Sequence, residues 1–225
     1  MNLKILQTKS ENNNVFSLVL EKPKDFQFYA GQYLDIELPV NDKFGSTRAF
    51  TISSSPSEKF LMVTPKKGVS EYKKFMENLK SSGTIKTSHP AGTFTLDEST
   101  PAIFICGGIG ITPFRSMLRW AVDQKIDTPV TLIYSNSDEN FPFKEELSLW
   151  QKQLPNLTIH YIDTSKHKRL NRVALKKILN YQFSIVNYIY YLAGSHSFVN
   201  SMEKMLTDSG IDETNIRYDR FDGYD

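Results

Sequence analysis

Two short segments hold the residue types best suited to chemistry. The first runs Ala102-Ile103-Phe104-Ile105-Cys106-Gly107-Gly108-Ile109-Gly110-Ile111-Thr112-Pro113-Phe114, an apolar stretch that enters three glycines within four residues. Such a strand-to-helix turn lets a diphosphate approach the main chain closely, and the helix after it directs unpaired N–H groups at the anion. Thr112 is expected at the N-cap and Pro113 at the first helical position, where a missing N–H costs nothing. The order Gly-Gly-x-Gly-x-Thr-Pro differs from the dinucleotide fingerprint Gly-x-Gly-x-x-Gly, and no acidic residue closes a second strand about twenty residues later. Ser135 and Asn136 stand there instead, a hydroxyl and an amide that suit a ribose or a 2′-phosphate. Close seating of a helix on a sheet is the alternative use of such glycines.

The second segment is Arg48-Ala49-Phe50-Thr51-Ile52, followed by Ser53-Ser54-Ser55-Pro56. On a strand of period two, Arg48, Phe50 and Ile52 share one face and Thr51 points to the other. A cation, an aromatic ring and a hydroxyl in so short a span could hold a phosphate, cover a planar ring and bond a ring nitrogen. Taken alone, the serine run also reads as a plain turn. Ser70, just before a helical window, reads either as a diphosphate contact or as an ordinary N-cap. Lys166-His167-Lys168-Arg169 reads as a solvated loop or, at the carboxyl end of a strand, as a contact for a 2′-phosphate. The histidines lack metal-ligand spacing, and the single Cys106 excludes an internal disulfide or a cysteine-held cluster, so no metal site is expected. Any electrons must then be carried by an organic cofactor.

The elements that position these segments fall into two groups. Strands are expected over 3–8, 15–20, 33–38, 49–53, 60–64 and 84–88, separated by turn clusters, with one helix over 70–79. Short strands of this kind suit a small barrel or sandwich rather than a βαβ layer. Beyond Asp97-Glu98-Ser99-Thr100-Pro101 the pattern changes to apolar strands alternating with amphipathic helices, the mark of a parallel sheet covered on both faces. The expected division is therefore 1–98, an antiparallel Greek-key β-barrel, and 99–225, an α/β doubly wound parallel sheet. With 27 basic and 25 acidic residues among 225, the chain has no electrostatic footprint for nucleic acid. No leader and no apolar run of the roughly 20 residues that span a bilayer is seen, so the chain is expected to be cytoplasmic, complete and not inserted in a membrane.

The motifs, in their order, resemble those of the ferredoxin-NADP reductase family of flavoprotein oxidoreductases. Gly31-Gln32-Tyr33 is similar to the family's Gly-Gln-Tyr/Phe, and Arg48-Ala49-Phe50-Thr51 stands where the family has Arg-x-Tyr-Ser/Thr. Lys67-Gly68-Val69-Ser70 resembles the family's phosphate loop, one residue shorter. His89-Pro90-Ala91-Gly92-Thr93-Phe94 resembles the turn that ends the flavin barrel, and Gly107 to Pro113 resembles the nicotinamide-domain loop. Tyr191-Leu192-Ala193-Gly194-Ser195 and Tyr218-Asp219-Arg220-Phe221 align with the family's Cys-Gly-Pro and C-terminal Glu-x-Phe motifs. Phe50 for Tyr, Ala193 for Cys and Asp219 for Glu are the departures.

The resemblance implies a flavin-binding barrel ahead of a nicotinamide-nucleotide domain, with FAD as cofactor, FMN the lesser alternative, and NADPH or NADH as substrate. Its implied catalytic residues are Thr51 at flavin N5, Phe50 on the ring and Asp219 near the N5 region. Cofactor contacts are implied for Arg48, Phe50, Thr51, Ile52, Lys67, Gly68, Val69 and Ser70 on the flavin, and for Gly107, Gly108, Gly110, Thr112, Pro113, Ser135, Asn136, Gly194 and Ser195 on the nucleotide. Hydride would pass to the flavin at the domain interface, and electrons would leave singly for a ferredoxin, a flavodoxin or an oxygenase component, the protein acting as a monomer. Two alternatives stand beside this one: a reductase that uses flavin as a dissociable substrate, and a non-catalytic electron-transfer subunit of a larger complex.

Overall fold

The computed structural model describes residues 1–166, 169–179 and 188–221. Its chain divides into two compact units, Met1–Leu96 with Thr112–Asp123, and Asp97–Ile111 with Gln124–Asp225.

In the first unit, β1 (Asn2–Ser10), β2 (Phe16–Glu21), β3 (Tyr33–Glu37), β4 (Thr47–Thr51), β5 (Phe60–Val63) and β6 (Thr84–Thr87) form an antiparallel sheet in the order β4-β3-β6-β1-β2-β5. An antiparallel bridge between Ile52 and Val63 joins its two ends, which turns the sheet into the expected barrel. Alternation drives this closure: Leu3, Ile5, Leu18, Leu20, Leu34, Ile36, Ile52, Leu61 and Val63 are fully buried in one cluster. Each such side chain contributes about 1.5–3 kcal/mol over an exposed one. Helix α1 (Glu71–Glu77) lays Tyr72 and Met76 on this core, and the buried Tyr72 hydroxyl donates to the Ile36 carbonyl at 2.7 Å. Ser70 caps α1 by accepting from the Lys73 N–H.

In the second unit, β7 (Ala102–Gly107), β8 (Val130–Asn136), β9 (Leu157–Asp163), β10 (Ile189–Ser195) and β11 (Ile216–Phe221) make a parallel sheet in the order β11-β10-β7-β8-β9. Helices α2 (Ile111–Gln124), α3 (Lys144–Gln153), α4 (Arg172–Ile178) and α5 (His196–Thr207) follow β7, β8, β9 and β10. Residues Ala102 to Cys106 are all buried, as expected of a central strand covered on both faces. From β7 the chain builds outward through β8 and β9, then returns to the other side of β7 for β10 and β11. The order therefore reverses between β7 and β10, the place where open α/β sheets bind ligands at their carboxyl ends. Among the described residues, no helix is long and apolar enough to cross a membrane.

Candidate functional site

At the reversal, the carboxyl ends of β7 and β10 bring the sequence-predicted nucleotide residues together. Gly107 ends β7, and a 3-10 turn over Gly108–Gly110 leads into α2. Gly108 has φ of 53°, a left-handed conformation that side chains rarely adopt. Gly110 is needed for space: a Cβ there would lie 2.2 Å from the Ala193 carbonyl oxygen and 2.8 Å from the Gly194 Cα. The turn thus lies directly on the end of β10, where Gly194 and Ser195 stand. Ser195 also serves as the N-cap of α5, accepting from the Phe198 N–H at 3.3 Å, with its hydroxyl 3.0 Å from that of Ser197. Because the 3-10 turn already winds the chain, α2 starts at Ile111, and Thr112 lies inside the first turn rather than at the expected N-cap, with Pro113 next to it.

Ser135 and Asn136 end the neighbouring β8, with Ser135 opposite Gly107 in the ladder. The Asn136 amide is occupied within its own loop, donating to the Asp138 carbonyl at 3.1 Å and to the Asp138 carboxylate at 3.3 Å. Lys166 of the basic loop pairs with Glu139 and lies 3.7 Å from Asp163; His167 and Lys168 lie outside the described residues. Asp219 stands on β11 opposite Ala193, half-buried.

In the barrel, β4 pairs with β3 so that Tyr33 faces Thr51 and Leu34 faces Phe50, and the Ile52 N–H donates to the Gln32 carbonyl at 2.8 Å. The Gly-Gln-Tyr and Arg-x-Phe-Thr segments are thereby adjacent strands of one site. Phe50 is half-buried, stacked on Tyr72 with centroids 6.2 Å apart, and Ile52 beneath it is fully buried in the core. Thr51, on the opposite face, is 7% exposed, and its hydroxyl makes no hydrogen bond among the described residues.

Arg48 is held firmly. Its guanidinium donates to the carbonyls of Phe44, Gly45 and Thr47 at 2.5, 3.0 and 2.9 Å, and to the buried Asp42 carboxylate at 2.6 Å, while its plane lies 5.0 Å from the Tyr72 ring centroid. N–H bonds from Phe44 and Tyr72, then the Arg48 charge, hold the Asp42 carboxyl below the usual range. Lys67 pairs with Glu77 at 3.2 Å, Gly68 lies against the Lys73 side chain, and Val69 is exposed. Half-buried Lys73, missed by the sequence reading, is drawn down in pKa by burial and then by the charges of Lys66 and Arg48.

The serine run is more than a turn. Ser53, Ser54 and Ser55 are fully buried; the Ser53 hydroxyl bonds the Met62 carbonyl at 3.0 Å, and Ser54 accepts the Met62 N–H at 2.9 Å. From α2, Arg115 donates to the Ser53 carbonyl at 2.8 Å and pairs with Glu58 at 3.1 Å, while the Ser116 hydroxyl donates to the Ser54 carbonyl at 2.6 Å. Arg115 and Ser116 are 57 to 62 residues from these partners, and no local pattern announces them.

Comparison with known proteins agrees with this geometry. A model described as an FAD-binding domain matches residues 1–110, and one described as an oxidoreductase NAD-binding domain matches residues 104–204. The chain thus carries an FAD-binding domain followed by an oxidoreductase NAD-binding domain. Flavohemoprotein A of Dictyostelium discoideum is 26% identical over 94% of this chain and 57% of its own length. The chain thus spans a little over half of such curated relatives. Among solved structures, the ferredoxin-NADP+ reductase of Plasmodium falciparum aligns with a TM-score of 0.82 at 22% identity, covering 98% of this chain and 95% of that one. The flavohem-like FAD/NAD-binding domain of nitric oxide dioxygenase from Vibrio cholerae aligns at 0.77 and 21%, covering 98% of both. These likenesses show that the chain and these proteins share one fold, an antiparallel barrel and a parallel α/β sheet.

Proposed function

We propose that this chain takes reducing equivalents from NADPH or NADH through FAD and passes electrons singly to a protein acceptor. Flavin binding is assigned to residues 1–98 and nucleotide binding to 99–225. The observation that carries the reading is the glycine turn of Gly107–Gly110 lying against Ala193 and Gly194 at the reversal of the parallel sheet. That cradle leaves main chain free of side chains where a dinucleotide would lie.

The barrel residues fit a flavin. Thr51 offers a hydroxyl without a hydrogen-bond partner among the described residues, suited to orient ring N5; Phe50 supplies an apolar plate; Arg48 and Lys73 supply positive charge for phosphate. FAD supplies the chemistry of accepting hydride and releasing single electrons. Gly107, Gly108, Gly110, Gly194 and Ser195 shape the nucleotide site, with Thr112, Pro113 and Ser135 at its margin. Asp219 is the carboxylate proposed to hold a proton near it. The acceptor is proposed to be a flavodoxin or one of the classes suggested by the names of the relatives, a ferredoxin or a haem-bearing or oxygenase component.

A second reading, a reductase that treats flavin as a dissociable substrate, is favoured by one observation: Arg48 is already engaged by Asp42. Identification of flavin released on denaturation, together with anaerobic reduction by NADPH and by NADH, tests both. Stoichiometric FAD reduced by either nucleotide is expected. Colourless protein that oxidises nicotinamide only when flavin is added would favour the second reading, and no reduction under either condition would refute both.

A further inference from the structure

We propose that Asp42 is an internal anion that competes with the flavin phosphate for Arg48 and so sets how tightly this chain holds its flavin. The proposal rests on the reading that Arg48 receives that phosphate.

Asp42 lies in the β3–β4 connection, and its carboxylate occupies the place an incoming phosphate would seek. One oxygen accepts from Arg48 at 2.6 Å and from the Phe44 N–H at 3.0 Å; the other accepts the Tyr72 N–H at 3.1 Å, at the start of α1. The Ser70 hydroxyl, in the segment that resembles the family's phosphate loop, also helps to hold that carboxyl low. The side chain is 2% exposed, so these contacts are made with little competition from water. Its charge also reaches Lys73, favouring the protonated ammonium that burial and the charges of Lys66 and Arg48 disfavour. Asp42 is thus the anionic partner of Arg48, whose remaining bonds go to neutral main-chain carbonyls.

A flavin phosphate has two ways to reach Arg48, and both weaken binding. It can take the guanidinium from Asp42, which gives up a charge-assisted bond and leaves a buried carboxylate less well paired. It can instead settle beside Asp42, which puts two anions on one cation. Flavins lacking a phosphate meet neither difficulty. The prediction is therefore a selective one, confined to FMN and FAD.

Flavin-free full-length protein titrated with riboflavin, FMN and FAD, followed by quenching of flavin fluorescence, provides the test. Asp42→Asn removes the charge and keeps the shape; it is expected to tighten FMN and FAD by about tenfold, the effect of roughly 1.4 kcal/mol, and to leave riboflavin within about twofold. Arg48→Ala is expected to weaken FMN and FAD and spare riboflavin. If Asp42→Asn leaves FMN and FAD unchanged or weaker while Arg48→Ala weakens them, the competition is refuted and Asp42 only positions Arg48. If Arg48→Ala does not separate FMN from riboflavin, the phosphate reading itself fails. Since the asparagine variant loses an acceptor and could fold poorly, the wild-type Asp42 carboxyl can be titrated by carbon NMR with each ligand at saturation. A midpoint that rises with FMN and not with riboflavin is expected, and a midpoint that stays the same with both would overturn the proposal.

Discussion

Gly110→Ala tests whether the close approach of main chain to main chain at the sheet reversal is obligatory. The new methyl would stand 2.2 Å from the Ala193 carbonyl oxygen, 2.5 Å from its carbon and 2.8 Å from the Gly194 Cα, against the 3.4 Å at which ordinary contact begins. All three atoms are backbone, and Ala193 is locked on both sides by parallel pairing with Cys106 and Asp219. Relief therefore requires the turn or the end of β10 to retreat by roughly 1 Å in a close-packed interior, which puts the cost at the upper end of overpacking, about 3 kcal/mol. Gly107→Ala is the matched control, because the atoms nearest its Cβ belong to the ring of Phe198, from 2.9 Å. That half-buried ring can rotate, so the control should cost about 1 kcal/mol. Urea unfolding in a Trp120→Phe background, read through the fluorescence of the buried Trp150 of the same unit, measures both. The Gly110 variant should also lose NAD(P)H affinity more severely. A Gly110→Ala protein as stable as the Gly107→Ala control would refute the reasoning.

Three further outcomes follow from the same structure. Arg115→Ala takes the charged partner from the half-buried Glu58 carboxylate and a donor from the buried Ser53 carbonyl, so the barrel unit should lose about 3 kcal/mol in urea unfolding read through Trp120. The Asp42 carboxyl is held low in the folded state, so its contribution to stability is present above the ordinary 3.8 and is lost as pH falls through the lowered folded value. The stability difference between wild type and Asp42→Asn should accordingly be constant near neutrality and shrink in acid. Burial pushes the Cys106 thiol well up, so native protein should resist thiol reagents and react only once unfolded; rapid labelling of the folded chain would contradict its placement in the core.

How much was legible depended on sequence distance. The barrel and the parallel sheet were readable because burial repeats with period two in one and runs without interruption in the other, as in Leu3 and Ile5 against Ala102 to Cys106. The glycine turn and Arg48 to Thr51 were readable because their chemistry is local. Arg48 was identifiable as a cation, yet its partner Asp42 was not, since the pairing depends on how the β3–β4 connection folds back and on Tyr72, 30 residues away from Asp42. The start of α2 was misplaced because a 3-10 turn through glycines carries no capping residue to mark it. The buried serines read as a turn because the donors that satisfy their carbonyls come from a helix with no sequence sign of that role.

The barrel unit is made of two separate lengths of chain, Met1–Leu96 and Thr112–Asp123. A gene fragment ending near codon 98 would encode a barrel without Arg115 and Ser116, leaving Glu58 and the carbonyls of Ser53 and Ser54 to find other partners. Recombination that exchanges only the first segment must therefore import a β-turn that suits the resident helix, or carry that helix along through a second crossover beyond Asp123. For directed shuffling of such reductases, the natural cassette is discontinuous, and the Ser53-Ser54-Ser55 segment and α2 should be inherited as a pair.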